Sequence, residues 1–116
     1  MTISESRTAA GIVNAMSVDV EDYFQVSAFE KNISRSDWDQ LPCRVEGNTN
    51  RILDLFAAHD VKATFFMLGW VAERYPDLVR RITDSGHELA SHGYTHTRVT
   101  QQTPRAFSED IAKTKT

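Results

Sequence analysis

Two clusters of residues in this chain have types and spacing suited to chemistry. The first is Asp19-Val20-Glu21-Asp22, with three carboxylates in four positions. Buried together, such groups repel one another and lose hydration. A bound cation relieves this, and so does plain solvation at a strand end. The second is Ser91-His92-Gly93-Tyr94-Thr95-His96, where two histidines stand four apart. Neutral imidazole is the commonest metal ligand. Two imidazoles with one carboxylate suit zinc and its neighbours and leave positions open for water and substrate. Taken singly, the clusters read equally well as solvated carboxylates and as unrelated surface histidines. Together they offer one or two carboxylates and two histidines to a single metal, with a further carboxylate for proton transfer.

For this to happen, both clusters must lie at one end of a common scaffold. Residues 12–20 (IVNAMSVDV) read as a short apolar strand that runs into the carboxylates. Residues 27–48 lack a period and read as a long loop, with a helical turn around Trp38. Asn48 or Thr49 then caps a helix to about His59, whose apolar face is Ile52, Leu53, Phe56 and Ala57. Residues 61–68 (VKATFFML) read as a buried strand. A helical segment over 70–85 follows, with Pro76 at an internal boundary and Val71, Leu78, Val79 and Ile82 facing inward. Gly86 stands as its C-cap. Residues 87–91 form a third strand. Thr103-Pro104 opens a last helix, with Phe107 and Ile111 on one face. The order β-α-β-α-β-α implies parallel strands with helices packed outside. Sites in such folds sit at the carboxyl ends of the strands, where both clusters fall. A full eight-fold barrel takes about 250 residues, so 116 residues give a small open sheet or the front part of a barrel.

Other candidates are weaker. His59 at a helix end and His87 at a strand start read as structural. Trp38 and Trp70 could stack on a sugar ring, Trp70 being the better placed, although packing explains both.

Composition narrows the classes. The chain weighs 13.1 kDa, with 41 % hydrophobic and 25 % charged residues, which is one ordinary globular domain. Thirteen Lys+Arg against sixteen Asp+Glu leave a net charge of −3, so nucleic acid and anionic membranes are poor partners. The single cysteine, Cys43, excludes an internal disulfide or a CxxC knuckle and reads as a buried or half-buried thiol. No apolar run approaches the ~18 residues of a membrane helix. Residues 1–11 read as a polar leader without a signal-peptide core. The default location is therefore cytoplasmic, or periplasmic or extracellular if the chain is incomplete.

VDVEDYF, followed by KATFFMLGWVAERYPDLVRRITDSGHELASHGYTH, resembles the NodB-homology polysaccharide deacetylases, carbohydrate esterase family 4. Within that family it looks most like the deacetylases of exosortase-associated exopolysaccharide clusters. The resemblance covers residues 12–116 and implies the N-terminal part of a distorted (β/α) barrel, about three β-α units. It implies a divalent metal, usually zinc, held by one carboxylate and two histidines. The histidines carry over to His92 and His96, and the family's general base to Asp19. The family usually has two adjacent aspartates, whereas this chain has Asp-Val-Glu-Asp. The metal carboxylate then falls to Asp22 by residue type, or to Glu21, which shares a pleat face with Asp19. The implied reaction is metal-dependent hydrolysis of the N-acetyl group of N-acetylhexosamine units in a polysaccharide. A backbone N–H would help the metal hold the oxyanion. The family's later motifs, including its general acid, would lie beyond Thr116, so a truncated chain of low activity is expected. Its uncovered sheet edges would favour self-association. A non-catalytic saccharide- or metal-binding fragment and a small-amide hydrolase are the alternatives.

Overall fold

The computed structural model describes residues 6–7 and 11–115. Most of the expected polar leader lies outside the described residues. Alternating apolar positions shape the centre of the fold. Strands β3 (Ser17–Val20), β4 (Thr64–Met67) and β5 (Glu88–Ser91) form a parallel sheet in the order β3-β4-β5. Val20, Phe65 and Met67 face the helices and are buried. Asp19 is exposed on the opposite face, and Thr64, Phe66 and Glu88 are half-buried there.

Residues 12–20 do not make one strand. Val13–Asn14 (β2) pairs antiparallel with Ser6–Arg7 (β1), and β3 begins at Ser17. Ile12, Val13 and Met16 are exposed, so this segment lacks the burial that a central strand needs. A short 3-10 turn at Tyr23–Gln25 precedes the long loop, which contains two more at Ser27–Phe29 and Arg35–Gln40. Helix α1 spans Val45–Ala58 and starts earlier than the Asn48 or Thr49 cap expected from local preference. Thr49 is buried within it. Its first N–H groups are satisfied from far away in sequence, by the Asp22 carboxylate, which accepts from Arg44 N (2.8 Å) and Val45 N (3.1 Å).

Pro76 divides the next segment into α2 (Gly69–Arg74) and α3 (Pro76–Asp84), because proline cannot donate the helical hydrogen bond that would continue α2. Gly86 ends α3 at φ +87°. Helix α4 (Pro104–Lys115) is capped by Thr103, whose Oγ1 accepts from Ala106 N at 3.1 Å. Leu53, Phe56, Val71, Leu78 and Ile82 pack on the sheet, while Val79 and Ile111 are half-buried and Phe107 and Ala57 exposed. Cys43 is exposed rather than buried. Among the described residues, no helix is long and apolar enough to cross a membrane.

Candidate metal centre

Register brings the two clusters to one end of the sheet. Val20 pairs with Met67, and Met67 with Ser91, so the three strands finish level. Strand β4 nevertheless separates β3 from β5, and the histidine segment must cross its end. His92 N first donates to Met67 O at 3.0 Å. The chain then turns at Gly93, with φ +77°. Gly93 O and Tyr94 O accept from Gly69 N (2.9 Å) and Trp70 N (3.1 Å). The turn therefore caps α2, which has no side-chain cap of its own and whose first N–H groups would otherwise be unpaired.

A second anchor comes from α4. Asp110 accepts from Tyr94 N through both oxygens, at 3.2 and 3.3 Å. The Tyr94 ring fills the space over Gly69, where a Cβ would stand 2.5 Å from Tyr94 Cδ2. The Tyr94 hydroxyl donates to Glu73, and this bond, aided by burial, raises its pKa. His96 has φ +58°, a left-handed conformation that costs a non-glycine residue energy and turns its side chain back toward His92.

The result is a compact constellation. Glu21 Oε2 lies 3.1 Å from His96 Nε2 and 3.5 Å from His92 Nε2. The imidazole centroids are 5.0 Å apart at 73°. One ligand atom from each of Glu21, His92 and His96 lies within 4.8 Å of the others. Asp19 Oδ2 is 3.9 Å from His92 Nε2, and its side chain is 55 % exposed. Glu21 Oε2, His92 Nε2 and His96 Nδ1 are buried, yet none has a hydrogen-bond partner among the described residues. Buried polar atoms are nearly always paired. Two imidazoles and a carboxylate with ligand atoms this close together match the donor set of an open zinc-type site.

Asp22, preferred for this role by residue type, turns elsewhere. It is buried at 2 % exposure, and besides Arg44 N and Val45 N it accepts from Tyr23 N at 2.9 Å. Period-two alternation places Asp19 and Glu21 on one side of the chain and releases Asp22 to cap α1. Trp70 is no sugar platform here. Its side chain is buried among Phe24 and Trp38, with centroids 5.7 and 5.6 Å away, and the Arg74 guanidinium covers its ring at 3.6 Å. His87 is structural, with its buried Nδ1 accepting from Ala63 N at 3.1 Å. His59 closes α1. Asp110 was missed in the sequence, since an acidic residue on a surface helix carries no signal of its own.

The fold and cluster together define a parallel α/β scaffold presenting a His-His-Glu group at the carboxyl ends of its strands. The family model described as polysaccharide deacetylase matches residues 30–116, and the chain belongs to that family. It is 40 % identical over 67 residues to a peptidoglycan-N-acetylglucosamine deacetylase of Bacillus cereus, covering 58 % of this chain and 24 % of the relative. It is 44 % identical over 66 residues to a chitooligosaccharide deacetylase of Rhizobium leguminosarum bv. trifolii, covering 57 % and 31 %. Thus it spans about a quarter to a third of the length of these curated relatives. A peptidoglycan deacetylase structure from Bacillus subtilis shares the fold, with TM-score 0.63, 23 % identity and coverage of 86 % of this chain and 39 % of that one.

Proposed function

We propose that this chain carries the metal-binding part of a deacetylase that removes N-acetyl groups from N-acetylhexosamine units of a polysaccharide. The observation carrying this reading is the convergence of Glu21, His92 and His96, with one ligand atom of each within 4.8 Å of the others and with Glu21 Oε2 and His92 Nε2 buried and unpaired among the described residues. The relatives, a peptidoglycan-N-acetylglucosamine deacetylase and a chitooligosaccharide deacetylase, suggest the substrate class. Glu21, His92 and His96 would hold a divalent ion, with zinc favoured by the nitrogen-rich donor set. When bound, that ion supplies Lewis acidity toward the acetamide carbonyl and lowers the pKa of water.

The rest falls to the chain's own groups. Asp19 is solvent-accessible and adjoins His92, so it can accept the proton of the attacking water as general base. Water oxygen bonds to the acetyl carbon, the C–N bond breaks, and the amine nitrogen takes up a proton. The products are acetate and a free amino sugar. The turn through Gly93, tied to Gly69 and Trp70, keeps both imidazoles in place while this happens.

Zinc titration with elemental analysis tests the reading, on the wild-type chain and on His92→Ala and His96→Ala. Near-stoichiometric zinc in the wild type, lost in both variants, is expected. A folded wild-type chain that holds no zinc would refute it.

A further inference from the structure

The two halves of the histidine turn are held differently. The first half is tied to α2 through Gly93 O and Tyr94 O, and to α4 through Asp110. Among the described residues, neither helix bonds the backbone of His96. Yet His96 is the residue that needs restraint, since φ +58° is a costly conformation for a side chain with a Cβ and persists only where the surroundings enforce it. The restraint comes from 61 positions away, where Arg35 Nη2 donates to His96 O at 3.5 Å. The bond is charge-assisted. It restrains the peptide plane between His96 and Thr97, and with it the backbone rotation that aims the imidazole.

Arg35 is itself held. It opens the 3-10 turn Arg35–Gln40, lies 3.6 Å from Glu30 Oε1 and has its guanidinium 5.7 Å from the Trp38 ring centroid. Trp38 is buried and meets Trp70 of α2 edge to face, at 5.6 Å. Asp39, the next residue of the turn, pairs with Arg74 at the other end of α2. Both halves of the histidine turn are therefore referenced to one helix. The His92 half reaches α2 directly, and the His96 half reaches it through Arg35 and the 3-10 turn.

We propose that Arg35 is a positioning residue, which fixes His96 relative to His92 and so sets the spacing of the two imidazoles for a metal ion. The inference rests on the metal-centre reading given above. The sign of the effect separates positioning from charge. Removing a cationic side chain near the site would by itself strengthen cation binding, whereas removing a positioning residue weakens it.

The test is zinc affinity, measured by competition with a chelator, in wild type, Arg35→Ala and Arg35→Lys. Arg35→Ala should bind zinc about five-fold more weakly, the loss of one hydrogen bond. Arg35→Lys, which keeps a donor and the charge, should fall between the two. In the metal-free chain the amide resonance of Thr97, whose peptide carbonyl is His96 O, should shift in Arg35→Ala. The urea midpoint should stay close to wild type, because the Arg35 side chain is 44 % exposed. Zinc affinity in Arg35→Ala equal to or tighter than wild type overturns the proposal, as does an unmoved Thr97 resonance. Either result alongside zinc uptake by the wild type leaves the metal-centre reading standing. A folded wild-type chain without zinc overturns that reading, and the role of Arg35 with it.

Discussion

His96 Nε2 stands 3.1 Å from Glu21 Oε2, although seventy-five positions separate them in the chain (96 − 21). The contact depends on a level finish to three strands and on a turn that crosses the middle one. It also divides the acidic cluster by task. Glu21 faces the imidazoles, Asp19 faces solvent beside them, and Asp22 holds the start of α1.

That division predicts opposite phenotypes for neighbouring carboxylates. Glu21→Ala should lose zinc binding, with a thermal transition of the metal-free chain close to wild type, because it removes a carboxylate that has no hydrogen-bond partner at Oε2. Asp22→Ala should cost about 3 kcal/mol of stability, since it leaves the buried N–H of Val45 and the part-buried N–H of Arg44 without their acceptor. Urea unfolding and zinc affinity of both variants give the comparison. Zinc loss in Asp22→Asn with the Glu21 variant unaffected would reverse the assignment.

Much of the scaffold is legible in the sequence because its signals are local. Pro76, Gly86 and Thr103-Pro104 mark helix ends where the structure has them, and the apolar runs around Phe65 and Leu89 mark strands. The histidine pair was legible too, as two ligand-type side chains on one turn. What sequence reading missed arises from contacts between distant residues. The cap of α1 comes from Asp22 rather than from Asn48 or Thr49, which are the better caps by type but lie inside the helix. Trp70 sits at the head of a helix near the site, yet the aromatic residues Phe24 and Trp38 bury it. That Glu21 faces the imidazoles while Asp22 turns to the start of α1 depended on where each carboxylate could find a partner.

Asp110 should act as a positioning residue for the histidine turn. Its carboxylate holds Tyr94 N from α4, and partners of this second layer typically change metal affinity 10–100-fold. Asp110→Ala should weaken zinc binding by about ten-fold, and Asp110→Asn should restore part of it by keeping one acceptor oxygen. Glu109→Ala on the same helix removes only a surface pair with Arg105 and should leave affinity unchanged. Equal zinc affinity in Asp110→Ala and wild type would show that the α2 cap alone holds the turn.

His87 should make stability fall in mild acid. Burial first, and then the neighbouring Lys62 charge, lower its pKa from the ordinary 6.5. The folded state therefore prefers the neutral ring, and this contribution is fully present above about pH 6.5. It is lost as pH falls through the lowered folded value. Protonating Nδ1 would also remove the acceptor of Ala63 N, the link between the start of β5 and the start of β4. His87→Asn keeps an acceptor at the δ position without titrating, at a cost of about 1 kcal/mol near pH 7.5. Urea midpoints at pH 7.5 and 5.0 should differ less for His87→Asn than for wild type. The substitution changes no other residue, so the difference between the two proteins isolates His87. An identical pH dependence in the two proteins would leave His87 without a role in the acid sensitivity.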